Sequence, residues 1–296
     1  TGGDRFYPSL DFTAENPKLG NSFGLGTYYS AEYNYHSFGA DIHFSQKTAN
    51  RNGEFTAKLQ AYFDKVTLIY PSELIPVSIT PVVTTSASSA GGGHNNIPTS
   101  ARNTYSASFG YSQIISPRLQ IMFLADVVGQ NGYLGLPFHR VYFTNGVDSV
   151  ERLPSNRFKL PLGFRANYFL GDNIILKAYY RYYADSWGIR SNTAGIEVPV
   201  KLSPFFSVSP FYRYYDQTAA KYFAPYGAHS QSEAYYTSNY EYAKFNANFF
   251  GVGFRIVPQN GVFGSPHFHD LEIRYGHYKQ TTNLVSNVVS FSLGFK

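Results

Sequence analysis

The sequence predicts an all-β protein: a transmembrane, antiparallel, up-and-down β-barrel of about 14 strands, with 12 or 16 as neighbouring counts, short turns at one end and long loops at the other. Three observations predict it. Apolar and polar residues alternate with period two through most of the 296 residues. The connections between the alternating segments are short and long by turns. Aromatic residues reach 18% while charged residues make up only 15%, against about 25% in an ordinary soluble domain.

The 27 Tyr and 26 Phe, beside one Trp and one Met, describe an outer surface that faces something other than water. No apolar run is long enough for a membrane helix. A barrel escapes that test because outward and inward residues alternate and each strand averages to moderate polarity. The absence of Cys excludes disulfides, Cys-ligated zinc, iron–sulfur clusters and thiol catalysis. The net charge of +5 comes without a compact Lys/Arg run, so nucleic acid is not an expected partner. The first residue is Thr1 and the single Met is Met122, so targeting is not read from the start of the chain.

Taken in order, an opening segment around Phe6–Phe12 leads to Ser22–Tyr35, where Phe23, Leu25, Tyr29, Ala31 and Tyr33 alternate with Gly24, Gly26, Ser30, Glu32 and Asn34. Phe38–Ser45 and Phe55–Asp64 follow the same rule, the first setting Asp41 and His43 against Ile42 and Phe44. Alternation resumes at Tyr105–Ser112, Leu119–Val127, Phe158–Tyr168, Ile174–Tyr183 and Ala194–Leu202. Phe206–Tyr214, Phe250–Ile256, Leu271–Tyr275 and Val289–Phe295 complete the series. These segments make about thirteen strands of roughly 9–12 residues, the length a tilted membrane strand needs.

Ala49–Gly53, Ser116-Pro117, Gly171-Asp172 and Ser203-Pro204 form the short connections. Tyr70–Asn103, Asn131–Asn156 and Asp216–Ala243 form the long ones, which an outer-membrane barrel places outside the cell. A C-terminal strand ending in the periplasm would put Thr1 on the extracellular side. An even-stranded barrel needs both ends in the periplasm, so residues 1–296 are expected to be a single barrel domain lacking an initial strand or N-terminal segment. A soluble β-sandwich also alternates, but its polar face carries many Lys and Glu. Here that face carries Gly, Ser, Asn and Tyr, and the closing Val289-Ser-Phe-Ser-Leu-Gly-Phe295 resembles the terminal signal of outer-membrane proteins, although Lys296 follows its aromatic.

Several longer words carry a family resemblance: Gly135-Leu-Pro-Phe-His-Arg-Val-Tyr-Phe143, Leu153-Pro-Ser-Asn-Arg-Phe-Lys159, Tyr179-Tyr-Arg-Tyr-Tyr183, Ser209-Pro-Phe-Tyr-Arg-Tyr-Tyr215 and Glu272-Ile-Arg-Tyr-Gly-His-Tyr278. With them the chain resembles the outer-membrane family catalogued as domain of unknown function 3570, over nearly its whole length. The resemblance implies a secreted barrel in an extracytoplasmic setting. It brings no catalytic motif and no assigned role.

Among residues that carry chemistry, Lys159, Arg165, Lys177, Arg181, Lys201 and Arg213 share the non-lipid face of four consecutive segments. Neighbouring strands lie about 5 Å apart, so these six form either an anion-selecting ladder or an ion-paired filling with Asp185, Glu197 and Tyr hydroxyls. The apolar loop around Phe138, His139, Arg140 and Tyr142 is costly in water and is expected to fold inward as a constriction or to dock a partner. His267 and His269 are weak metal candidates, two residues apart and without a placed third ligand. No Gly-x-Ser-x-Gly elbow is present, and Gly91-Gly92-Gly93 lacks the Lys-Ser/Thr of a phosphate loop, so neither an enzyme nor a cofactor is expected.

Two functions follow as expectations. The first is passive passage of small solutes, anions among them, through a barrel integral to a bacterial outer membrane. The second is a non-conducting barrel that binds other outer-membrane or periplasmic proteins. Membrane lipid is a partner in either case.

Overall fold

Alternation becomes register once neighbouring strands pair, and the pairings run without a slip except near strand ends in three of the pairs. The computed structural model describes residues 5–74 and 98–295. The strands are β1 (Ser9–Asn16), β2 (Asn21–Glu32), β3 (Tyr35–Lys47), β4 (Gly53–Thr67), β5 (Thr99–Ser116), β6 (Leu119–Gly132), β7 (Arg140–Tyr142) and β8 (Asp148–Val150). They continue as β9 (Asn156–Leu170), β10 (Ile174–Asp185), β11 (Arg190–Glu197), β12 (Val200–Ser203), β13 (Phe206–Gln217), β14 (Phe245–Ile256), β15 (Phe268–Gln280) and β16 (Val285–Phe295). All but β7 and β8 belong to one 14-stranded sheet in sequence order, each strand antiparallel to the next. This is the transmembrane up-and-down barrel wall.

β11 and β12 share one position in the wall, between β10 and β13. The break falls at Pro199, which has no N–H to donate to the ladder. Val198 N–H still reaches the Pro210 carbonyl at 3.0 Å, and Lys201 remains opposite Ser207, so the face of the strand is preserved through the break. The β9–β10 turn is closed by Gly171 at φ 67°, a left-handed conformation that costs glycine nothing.

The two faces differ as the alternation requires. Phe23, Leu25, Leu59, Phe123, Tyr212 and Phe250 point outward and are exposed, a surface that only lipid covers. Opposite them the inward face holds Gly24, Gly26, Ser37, Asp64 and Gln217, all buried. β1 and β16 end the path, and no pairing between them is found among the described residues.

Two elements differ from the sequence reading. β5 begins at Thr99, before Asn103, because its first residues continue the ladder with β4 through Thr67↔Thr99. The connection after β6 is not plain loop, since β7 and β8 form a hairpin within it. Gly91-Gly92-Gly93 and most of the Tyr70–Asn103 connection lie outside the described residues.

Candidate functional site

The lumen is built by the inward residues, and its charges are unevenly distributed. On β1 to β4 the inward positions include Asp11, Glu15, Asp41, Glu54 and Asp64, against Lys47 and Lys58. On β9 to β15 they include Arg157, Lys159, Arg165, Lys177, Arg181, Lys201, Arg213, Arg255 and Arg274, against Asp185, Glu197, Asp270 and Glu272. The six basic residues singled out from the sequence all lie on that second wall.

Their partners differ. Lys177 Nζ sits 3.3 Å from Glu197, which also accepts from Arg274 at 2.7 Å. Asp185 is taken by Arg157 at 2.5 Å and by the Tyr183 hydroxyl at 2.9 Å. Among the described residues Lys159, Arg165, Arg181, Lys201 and Arg213 have no carboxylate within salt-bridge distance. Arg165 instead lies over the Tyr179 ring at 5.5 Å and Arg213 over Phe249 at 5.1 Å, cation–π contacts that hold a guanidinium without neutralising it.

Three adjoining cavities follow this wall. One of about 480 Å³ at the short-turn end is lined by Lys201, Arg255 and Arg274, with Asp172, Glu197, Asp270 and Glu272 among them. The next, of about 630 Å³, is lined by Arg165, Lys177 and Arg213 and shares Lys177, Glu197 and Arg274 with the first. The third, of about 270 Å³, lies toward the long-loop end with Arg181 and Tyr215, and shares Tyr179, Arg213 and Phe249 with the second.

At the long-loop end the connections after β6 and β13 pack on each other. Val141, Phe143 and Tyr236 form a small buried core between them. Backbone bonds knit the two segments: Arg152 and Tyr236 exchange N–H to carbonyl bonds at 3.1 and 2.8 Å, and Thr144 N–H reaches the His229 carbonyl at 2.9 Å. Glu151 is buried beneath them, accepting from the Thr237 hydroxyl and from Leu136 N–H. Burial pushes its carboxyl above the usual range, although both hydrogen bonds act the other way. Trp187, from the β10–β11 turn, anchors this cap to the wall: its indole N–H donates to the Asn156 carbonyl and Arg157 lies over its ring at 4.3 Å.

A family model described as Protein of unknown function (DUF3570) matches residues 9–286. The chain belongs to the DUF3570 family. No curated protein matches the sequence. Among solved structures, the DUF3570 chain resembles the siderophore receptor PirA from Pseudomonas aeruginosa, with TM-score 0.55 and 11% identity over 98% of this chain and 49% of that one. It also resembles CdiB from Acinetobacter baumannii, with TM-score 0.51 and 11% identity over 98% and 51%. A further likeness is to BamA from Haemophilus ducreyi lacking POTRA domains 1–3, with TM-score 0.50 and 11% identity over 98% and 62%. These are outer-membrane barrels with transport or envelope roles, and at such identity the likeness is one of fold. The DUF3570 chain spans about half the length of the first two.

The other residues singled out from the sequence are scattered. Phe138 is exposed on the cap, while His139 Nε2 is buried there without a hydrogen-bond partner. Arg140 pairs with Glu73 and Tyr142 packs against Tyr226 at 4.9 Å between ring centres. His269 bonds its neighbour Asp270 at 2.8 Å, and neither His267 nor His269 joins a three-ligand group among the described residues. The group that does bring three such donors within 4.8 Å is Asp11, Asp41 and His43. They meet over Gly24 and Gly26 of the intervening β2, which offer no side chain to keep them apart. Both His43 nitrogens are already engaged, with Asp41 and with Thr13, each at 3.0 Å. Only the strand register reveals this group, because Asp11 and Asp41 are far apart in sequence.

Proposed function

We propose that this DUF3570 chain is an integral outer-membrane barrel that passes small anionic solutes along the β9–β15 wall of its lumen. The long loops face outward from the cell and the short turns face the periplasm. One observation carries the reading: three adjoining cavities run beside a wall on which most basic side chains have no carboxylate partner. A lumen filled merely for structure would pair those charges, because an uncompensated charge in a closed interior is costly. Cationic groups left open to a solvated path attract counter-ions, as rings of Arg and Lys do in anion pores. The acidic β1–β4 wall gives passing anions a reason to keep to the other side.

The ordered cap supports a second reading, in which the barrel is closed and its outer face binds another envelope component. Conductance in a planar bilayer under a salt gradient separates the two. The pore reading expects stable steps with an anion-biased reversal potential, and Arg181→Glu should weaken that bias. Silence from protein shown to be folded and inserted overturns it in favour of the second.

A further inference from the structure

We infer that the central cavity of the basic wall is a binding site for a flat aromatic dicarboxylate, a deeper form of the anion-passing reading and dependent on it. Arg165, Tyr179, Gly195 and Arg213 lie side by side in one cross-strand row of β9, β10, β11 and β13. The two arginines are three strand spacings apart, about 14 Å between Cα atoms. Tyr179 flanks Arg165 in this row, and the wall recedes at Gly195. A Cβ placed on Gly195 would find nothing nearer than the Tyr212 carbonyl at 3.7 Å and Arg213 Cβ at 3.9 Å.

The charge around this recess is positive. Arg165, Lys177, Arg213 and Arg274 line it and Glu197 opposes them. Glu197 is bound to Lys177 and Arg274, which leaves Arg165 and Arg213 to face the cavity without a carboxylate of their own. Both are held by rings, Arg165 by Tyr179 and Arg213 by Phe249, so little side-chain freedom remains to be lost on binding. A carboxylate accepts two parallel N–H bonds from a guanidinium, and two guanidiniums at the ends of a recess ask for two carboxylates.

The middle of the ligand is set by the apolar part of the lining. Tyr179, Phe211 and Phe249 line the same cavity, each ring backed by a guanidinium: Arg165, Arg274 and Arg213 respectively. A benzene ring between the acid groups meets them at low entropic cost, whereas a flexible chain of the same length must be ordered first. The volume, about 630 Å³, lies within the ordinary range for small-molecule sites.

The test is calorimetric titration of the refolded protein in detergent micelles with terephthalate, and separately with adipate, benzoate and inorganic phosphate. Terephthalate should bind at least tenfold more tightly than the other three. Arg165→Gln and Arg213→Gln should each weaken it tenfold or more, and Gly195→Val should do so without changing any charge, with folding of each variant checked by heat-modifiable gel mobility. Terephthalate binding that is absent, no tighter than adipate, or untouched by all three substitutions overturns the inference. A protein that binds terephthalate but conducts nothing loses the pore reading and keeps the site. One that conducts anions but binds no terephthalate loses the site and keeps the pore.

Discussion

Arg157 and Asp185 sit where the wall meets the cap, and their pairing is the contact most exposed to mutation. The Asp185 side chain is fully buried and the Arg157 side chain nearly so, and the same carboxylate also accepts from Tyr183 and Ile189 N–H. Removing the arginine leaves a buried charge with too little compensation, so Arg157→Ala should cost about 3–5 kcal/mol. Trp187, the single tryptophan, reports the loss directly, because it lies under Arg157 and against Tyr222 and Tyr242. Its emission should be blue-shifted and poorly quenched by acrylamide in the native chain, and red-shifted and quenchable in the variant. Glu151 makes the same cap sensitive to pH. Its folded pKa lies above its usual value of 4.5, so its support for the packed cap is complete below that value and is lost as pH rises through the raised one. Glu73 works in the opposite sense: the Arg140 guanidinium holds its carboxyl down to about 2, so that pair contributes above 4.5 and fades as pH falls toward 2. Trp187 quenching followed across pH should show the cap loosening as pH rises through the raised Glu151 pKa, and Glu151→Gln should flatten that limb.

Between β14 and β15 the wall depends on a pair of glycines. Gly251 faces Gly276, and a Cβ on Gly251 would lie 2.0 Å from the Tyr275 carbonyl, which is backbone and has nowhere to go. On Gly276 the obstacle is the Phe249 ring at 2.4 Å, which leans over the gap beside Phe211. Gly251→Ala should therefore force the two strands apart at a cost of about 1–3 kcal/mol, seen as a lower midpoint in urea titration of the vesicle-inserted protein. Their opposition is a matter of register, which the local sequence does not encode. The β7–β8 hairpin was equally hidden. Three residues per strand give too short a run for period two to register, and the hairpin is held by the segment around Tyr236 rather than by its own pattern.

For the whole molecule the apolar face is on the outside, which reverses the usual cost of substitution. Leu59 on β4 is half exposed and its neighbour Gln60 faces the lumen opposite Asp41. Leu59→Arg should destabilise the barrel in lipid vesicles by about 2–4 kcal/mol, as a cation near the bilayer midplane does. Gln60→Arg one residue away should cost less than about 1 kcal/mol, because it enters a solvated interior with a carboxylate at hand. Equal costs in urea titration would mean that the faces are assigned wrongly. The same division made the barrel and the basic wall readable in advance. Phe158 to Tyr168 and Ile174 to Tyr183 alternate so regularly that Lys159, Arg165, Lys177 and Arg181 had to share a face.

The sequence by itself determined the architecture, because a membrane strand must satisfy two solvents at once and writes that demand into every second residue. It determined which residues face inward, and so the supply of charge in the lumen. Only the tertiary structure decided how that charge is used. Asp185 goes to Arg157 and Glu197 to Lys177 and Arg274, so Arg165 and Arg213 face an open cavity, and Asp11 meets Asp41 and His43 over two glycines. The physical reason is register. Cross-strand partners come from segments far apart in the chain, and no local pattern encodes which row of one strand will lie beside which row of the next.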